Sequence, residues 1–214
     1  VLSMGALLLA GTLSAQTPVP EWQAGVDKMK SLIQTNPAQA SEEVGELLKG
    51  KNKKNVDLVT SVAHVYLDAG KLTEAQEYLA MAKKADNKDP KVSVLEGDIA
   101  LAQKNIGQAC QLYEQAIYFD PNCKEAYLKY AQAYKSASPA LAIEKLEQLK
   151  AVDPNCLEAD RELAEVYYSS NRFGKAAEMY AKFIDTPLAT EDDMLKYAFA
   201  LFLNHDFEKS LQVA

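Results

Sequence analysis

Residues able to do chemistry are few and scattered in this chain of 214 residues. Its two histidines, His64 and His205, lie far apart, and no His-Glu-x-x-His pattern is present. The sequence also lacks a glycine-rich phosphate loop and a Gly-x-Ser-x-Gly turn. Acidic pairs such as Glu42-Glu43 are more typical of solvated helix starts than of catalytic carboxylates. We therefore expect no catalysis, no metal and no cofactor.

Charge excludes two further classes of partner. The formal net charge is −7 and the sequence pI is near 5.0, whereas nucleic-acid binding requires a basic stripe. The sequence shows no basic amphipathic helix suited to a membrane surface. A protein or peptide is therefore the expected partner.

Two series of small residues recur at nearly constant spacing. The first advances by 34, 34, 33 and 34 residues, and the second by 34, 33, 34 and 34. Chance does not keep two series in phase over five cycles, so the chain is a tandem array of one unit. The series are Ala63, Gly97, Ala131, Ala164 and Ala198, and Ala75, Ala109, Ala142, Ala176 and Ser210.

One unit, residues 56–89, predicts two amphipathic helices joined by a short turn. Apolar residues follow helical spacing up to Asp68, the pattern breaks with Gly70 as the stop signal, and it resumes at Leu72. Small residues at the crossings let helix axes approach to about 8–10 Å.

Prolines mark the borders between units. Asp89 is the expected cap of a helix that begins at Pro90. The next two borders contain Asp120-Pro121 and Asp153-Pro154, where proline cannot continue a helix. Asn122 and Asn155 follow these pairs and are expected to cap the next helices.

Over about 56–214 the chain resembles the tetratricopeptide repeat family. The residues that carry this resemblance are the two small series, the tyrosines opposite them and the Asp-Pro-Asn endings at 120–122 and 153–155. The resemblance implies an all-α solenoid of stacked antiparallel helix pairs, a superhelix of about five repeats. A degenerate helix pair and basic connector, 16–54, precede the array at 55–214. The expected repeats are 56–89, 90–123, 124–156, 157–190 and an incomplete 191–214.

The first fifteen residues predict a secretory signal peptide that is truncated at its start, because the basic leader and the initial Met are missing. They carry no charge, are mostly apolar, and end in Leu13-Ser14-Ala15, a small-residue cleavage site after Ala15. Gln16 stands where a lipoprotein needs cysteine, so lipid anchoring is not expected. We expect export to the periplasm of a Gram-negative bacterium, without membrane insertion after cleavage. The alternative is a buried apolar N-terminal helix.

Three cysteines, Cys110, Cys123 and Cys156, are expected to be unpaired. Cys123 and Cys156 hold equivalent places in consecutive repeats, so their separation should exceed the roughly 7 Å limit between Cα atoms for a disulfide. The sequence therefore predicts three free thiols that fill space between helices.

The resemblance also implies a concave groove lined by the first helix of each repeat. Three columns of first-helix residues are expected to be free of packing and to face a partner. The first column is Thr60, Val94, Leu128, Arg161 and Leu195; the middle column is His64, Asp98, Gln132, Glu165 and Phe199; the third column is Leu67, Leu101, Lys135, Tyr168 and Phe202.

The outer two columns are mostly apolar and the middle one is polar until Phe199, which suits an extended peptide or an amphipathic helix. Our first hypothesis is an interaction scaffold that holds a partner segment in this groove during assembly of a cell-envelope complex. One alternative is a structural module that self-associates through its apolar C-terminal end. Another is the non-catalytic arm of a larger protein that continues past residue 214 and covers part of the apolar stripe.

Overall fold

The predicted all-α solenoid is confirmed. A computed structural model describes residues 19–213, and within that range the chain forms α-helices and one short 3-10 helix, without a strand. The signal peptide predicted at 1–15 lies outside the described residues. The fold follows from the repeat: each unit folds locally into a hairpin, and each hairpin buries the next.

Helix pairs follow one another along the whole described chain. Their bounds are α1 Gln23–Leu32, α2 Pro37–Leu47, a 3-10 helix at Gly50–Lys54, α3 Val56–Asp68, α4 Leu72–Ala85, α5 Pro90–Ala102, α6 Ile106–Phe119, α7 Lys124–Tyr134, α8 Pro139–Val152, α9 Leu157–Ser169, α10 Phe173–Tyr180, α11 Glu191–Leu203 and α12 Phe207–Val213.

The odd-numbered helices from α3 to α11 are the first helices of their hairpins, and the even-numbered helices are the second. Consecutive first helices contact one another from α3 to α9, whereas second helices pack mainly against the first helices on either side. First helices therefore form one wall of the solenoid, and that wall carries the three predicted columns.

Four of the first helices end in the same turn. Gly70 stops α3 as predicted, with a φ of 74°, and Lys71 N–H donates to the Tyr66 carbonyl at 2.8 Å. This is a Schellman motif, in which one residue takes a left-handed conformation. Lys104, Asn171 and His205 hold the same left-handed place at the ends of α5, α9 and α11. Only the first of these turns uses glycine, the usual sequence signal.

The predicted cap residue is correct at the start of α5 and wrong at the starts of α7 and α9. The Asp89 carboxylate accepts a hydrogen bond from Lys91 N–H at 2.9 Å and caps the helix that begins at Pro90, as predicted. The prediction for Asn122 and Asn155 is wrong, because the cap residues are the cysteines that follow them. Each asparagine instead donates its backbone N–H to the preceding aspartate side chain.

The small residues pack where the repeat predicted. Ala63, Ala131 and Ala164 are buried, and a Cβ built on Gly97 would lie 2.5 Å from the Tyr113 ring. A larger side chain at Gly97 would therefore push α5 and α6 apart.

The three cysteines are free, as predicted. Burial raises the pKa of the Cys110 thiol to about 11, so it stays protonated at neutral pH. It therefore acts as a small apolar packing residue between α6 and its neighbours.

Candidate groove on the first helices

The first helices bring the three predicted columns onto one wall, but they do not leave all of them accessible. Thr60, Val94 and Asp98 are buried, with 4%, 0% and 8% of their surface exposed. The expectation that they are free of packing is therefore wrong.

Neighbouring helices explain this burial. Val94 belongs to α5, which is covered by α3, α4, α6 and α7 and is buried nearly all round. Thr60 turns its hydroxyl back to its own helix and donates to the Val56 carbonyl at 2.8 Å. At this end of the wall, side chains that were expected to face a partner are instead buried against neighbouring helices.

Asp98 is the centre of a buried polar cluster. Tyr113 O–H donates to its Oδ1 at 2.7 Å, and Lys129 Nζ lies 2.9 Å from its Oδ2. His64 Nε2 lies 3.1 Å from the same Oδ2. We call these four residues the Asp98 cluster; it joins α3, α5, α6 and α7.

The Asp98 cluster keeps its carboxylate charged. Burial by itself would raise the pKa of Asp98, but hydrogen bonds from His64, Lys129 and Tyr113 outweigh it and hold the pKa below 3.8. Burial, with the neighbouring carboxylate, raises the pKa of the Tyr113 hydroxyl. The tyrosine therefore stays protonated and serves as a donor.

A second tyrosine–acid pair lies two repeats further on. Tyr180 O–H donates to Glu165 Oε1 at 2.8 Å, and Lys196 Nζ binds both oxygens of Glu165 at 3.0 Å. Each tyrosine follows its acid by fifteen residues, as Tyr113 follows Asp98. The repeats with His64 and Gln132 in the middle column have leucine at the tyrosine position. This alternation of tyrosine and leucine is present in the sequence and is a signal for the two buried acids.

Further polar bridges connect α7, α9 and α11. Gln132 Nε2 donates to Glu162 Oε1 at 2.8 Å, and Lys135 Nζ lies 3.8 Å from Glu162 Oε2. Arg161 pairs with Asp193 at 2.9 Å. Glu162 stands outside the predicted columns and no motif marked it. Most polar side chains of the predicted groove thus already bind a side chain of the neighbouring first helix.

Apolar members of the columns become more accessible toward the C-terminal end. Leu67, Leu101, Leu128 and Tyr168 are partly buried, and the Tyr168 ring packs edge-on against Phe173. In α11, by contrast, Leu195, Phe199 and Phe202 expose 57%, 50% and 53% of their surface. These three, with Ala198 and Ser210, line a cleft of about 270 Å³.

Two negative observations apply to the described range. Among residues 19–213, no group of three or more His, Cys, Asp or Glu side chains is placed to hold a metal ion. None of the helices described is both long and apolar enough to cross a membrane.

Comparison with known families agrees with the repeat period. The sequence profile of the tetratricopeptide repeat matches residues 60–122 and 132–189, more than half of the chain. No curated protein matches this chain in a sequence search.

Solved structures share the fold at low sequence identity. PilW, described as a widely conserved type IV pilus biogenesis factor, is 17% identical with a TM-score of 0.68, covering 89% of each chain. Pseudomonas aeruginosa pilF is 18% identical with a TM-score of 0.66, covering 89% of this chain and 87% of its own. YrrB, described as a TPR protein with an unusual peptide-binding site, is 15% identical with a TM-score of 0.56, covering 79% and 87%. At these identities the likeness shows the fold alone.

Proposed function

The chain belongs to the tetratricopeptide repeat family, and on that premise we propose that it is a non-catalytic scaffold that binds a peptide or helix of a partner protein along its first helices. The observation that carries this proposal is the exposure of Leu195, Phe199 and Phe202 on one helix face. Exposed apolar side chains that line a cleft are typical of protein interaction sites.

The polar bridges indicate where on the wall a partner gains most from binding. Asp98, Glu165 and Arg161 are already paired within the chain, so a partner would have to break those bonds to use them. Leu195, Phe199 and Phe202 need no such exchange, because contact with a partner only removes apolar surface from water. Tyr168 and Phe202 are also large aromatic residues of the kind that dominate binding energy when buried at an interface.

We further propose that this partner belongs to the cell envelope and that the scaffold acts in assembling an envelope complex. The uncharged apolar stretch at 1–15 supports export, and the periplasm of a Gram-negative bacterium is the proposed location. PilW is described as a pilus biogenesis factor, which supports an assembly role, and the peptide-binding site in the description of YrrB supports a peptide-like partner.

Substitution on the wall tests this function. Tyr168→Ala and Phe202→Ala should each lower capture of a partner from envelope extract several-fold while the circular dichroism spectrum stays unchanged. Tyr118→Ala is the matched control, because Tyr118 is an 82% exposed aromatic residue on a second helix. Equal capture by all three variants would contradict binding along the first helices.

Self-association through the C-terminal end is the second candidate. It is favoured by the same exposed face of α11, together with Phe207 and Leu211 of α12, which are 50% and 82% exposed. It predicts a molecular mass that rises with concentration in sedimentation and falls back to the monomer in Phe199→Ala. A monomer at all concentrations would count against it.

A further inference from the structure

We infer that the hairpin of α11 and α12 receives an amphipathic helix of a partner protein, with an apolar face three turns long and a basic residue at the end that meets Glu191. The inference rests on the proposed function and names the kind of segment bound. The site, which we call the terminal cleft, is formed on α11 by Glu191, Met194, Leu195, Ala198, Phe199 and Phe202, and is faced by α12.

Earlier hairpins show what kind of object this surface accommodates. The hairpin of α9 and α10 is covered by a helix, α11, which pairs Asp193 with Arg161 at 2.9 Å and Lys196 with Glu165 at 3.0 Å. Among residues 19–213, no helix covers the hairpin of α11 and α12 in this way. A helix is therefore the shape that the repeat geometry accepts at this place.

Side-chain chemistry distinguishes this occupant from the helices inside the array. Leu195 and Phe199 hold in α11 the column positions that Arg161 and Glu165 hold in α9. Where α11 offers charged partners to α9, the occupant of the terminal cleft must therefore present apolar side chains. A helix with the ion-pairing pattern of α11 would bury unpaired charges against these residues.

The dimensions of the terminal cleft also fit a helix. Two hollows of about 270 and 240 Å³ share Leu195 and Ala198, so they form one continuous surface from Glu191 to Phe202. Glu191 and Phe202 are eleven positions apart on the helix, a length of about 16 Å or three turns at 1.5 Å per residue. Ala198 lines both hollows but is only 6% exposed, so the larger apolar side chains around it supply the accessible surface. This is the helix-in-groove mode, in which apolar anchors recur every three or four residues.

Charge selects a basic partner over a second copy of this chain. Residues 191–213 carry five acidic side chains and two lysines, a net charge of −3. Asp192, Asp193 and Asp206 have cationic partners, whereas Glu191, which lines the cleft, has no cation within 4 Å among residues 19–213. Two copies that met face to face through this cleft would bring acidic surface against acidic surface. A lysine or arginine on the occupant would instead pair with Glu191.

The test uses two synthetic helical peptides of fifteen residues with the same leucine face, one flanked by lysines and the other by glutamates. Fluorescence anisotropy titration should show the lysine peptide binding at least threefold tighter than the glutamate peptide. Leu195→Ala with Phe199→Ala should weaken the lysine peptide tenfold or more, whereas Tyr118→Ala should leave it unchanged. The circular dichroism spectrum of each variant checks that the fold is retained.

Charge reversal tests the contact with Glu191. In Glu191→Lys, the preference should shift toward the glutamate peptide, because the exposed carboxylate at the cleft has been replaced by an ammonium group. Equal binding of both peptides by the unsubstituted chain, or no shift in Glu191→Lys, would overturn the basic partner.

Three other outcomes would also overturn the inference, and they separate it from the proposed function. Loss of lysine-peptide binding in a longer form of the chain, whose added residues cover the cleft, would assign the cleft to the chain's own continuation. No binding of either peptide, with a concentration-dependent dimer that Phe199→Ala abolishes, would assign the cleft to a second copy. No peptide binding, with partner capture still lost in Tyr168→Ala, would leave the scaffold function standing and remove the helix from the terminal cleft. If the lysine peptide binds but Tyr168→Ala does not change partner capture, the terminal cleft stands and only binding along the other first helices is contradicted.

Discussion

Asp98 in α5 and Phe199 in α11 occupy the same position of the repeat, in the middle column of the first helices. Asp98 is 8% exposed and bound by three side chains from three other helices, whereas Phe199 is 50% exposed and lines an open cleft. One repeat position can therefore either join hairpins or face outward. What decides its role is whether neighbouring helices supply partners.

The two regions also differ in how they gain stability. The Asp98 cluster contributes hydrogen bonds to a charged group that burial would otherwise penalise, so each member depends on the others. The face of α11 is packed less completely: Phe202 meets Phe207 of α12 edge-on, but about half of the surface of Phe199 and Phe202 stays in water. Substitutions should therefore affect folding in the first region and binding in the second.

The largest effect on folding is expected from Tyr113→Ala. Tyr113 is fully buried between α5 and α6, so truncation removes its packing and its bond to Asp98, at a cost of about 3–5 kcal/mol in free energy of unfolding. Urea denaturation of Tyr113→Ala and the unsubstituted chain measures this loss in free energy of unfolding. A loss below 1 kcal/mol would mean that the two regions do not differ as described.

A smaller loss, about 1.5–3 kcal/mol at neutral pH, is expected from Asp98→Asn, which keeps the shape and removes the charge. Because the pKa of Asp98 in the folded chain lies below its ordinary value of 3.8, the stability that its charge provides is complete above that ordinary value and is lost as the pH falls from there through the lower folded-state pKa. The difference between Asp98→Asn and the unsubstituted chain should therefore shrink below pH 3.8. Urea denaturation over a series of pH values checks this, and a constant difference would contradict a charged Asp98.

Matched substitutions in the small series sharpen the comparison. Ala131→Leu should cost about 1–3 kcal/mol, because Ala131 is buried between α7 and α8 and its neighbours are held on both sides. Ala198→Leu should cost less, because α12 is short, packs mainly on α11 and can shift. Melting temperatures of the two variants give the order, and equal shifts would show that the last hairpin is as tightly held as the third.

The smallest effect on stability is expected from Phe199→Gln. Removing a half-exposed ring that faces solvent should change the free energy of unfolding by no more than about 0.5 kcal/mol. The same denaturation experiment measures it. A loss of several kcal/mol would show that Phe199 supports the hairpin and is not available to a partner.

Local patterns in the sequence were enough for the repeat, the helix pairs and the packing of the small residues. The spacing of Ala63, Gly97 and Ala131 reports a crossing of two helices that recurs in every unit, so it can be read without coordinates. The turns were harder to predict from the sequence, because Lys104 and Asn171 take the left-handed conformation for which glycine, as at Gly70, is the usual signal. The caps at Cys123 and Cys156 gave no signal, since their side chains make no capping bond.

By itself, the sequence determined that this chain is a solenoid of helical hairpins and which residues lie on its first helices, because repeat spacing and helical periodicity are local properties. Only the tertiary structure decided which of those residues remain accessible. Asp98 is enclosed because a tyrosine fifteen residues later and polar side chains from two other hairpins converge on it, and Phe199 is open because no described helix covers it. Tyr113 belongs to the same repeat as Asp98, but His64 and Lys129 lie 34 and 31 residues away in other hairpins, and no spacing within one repeat specifies them.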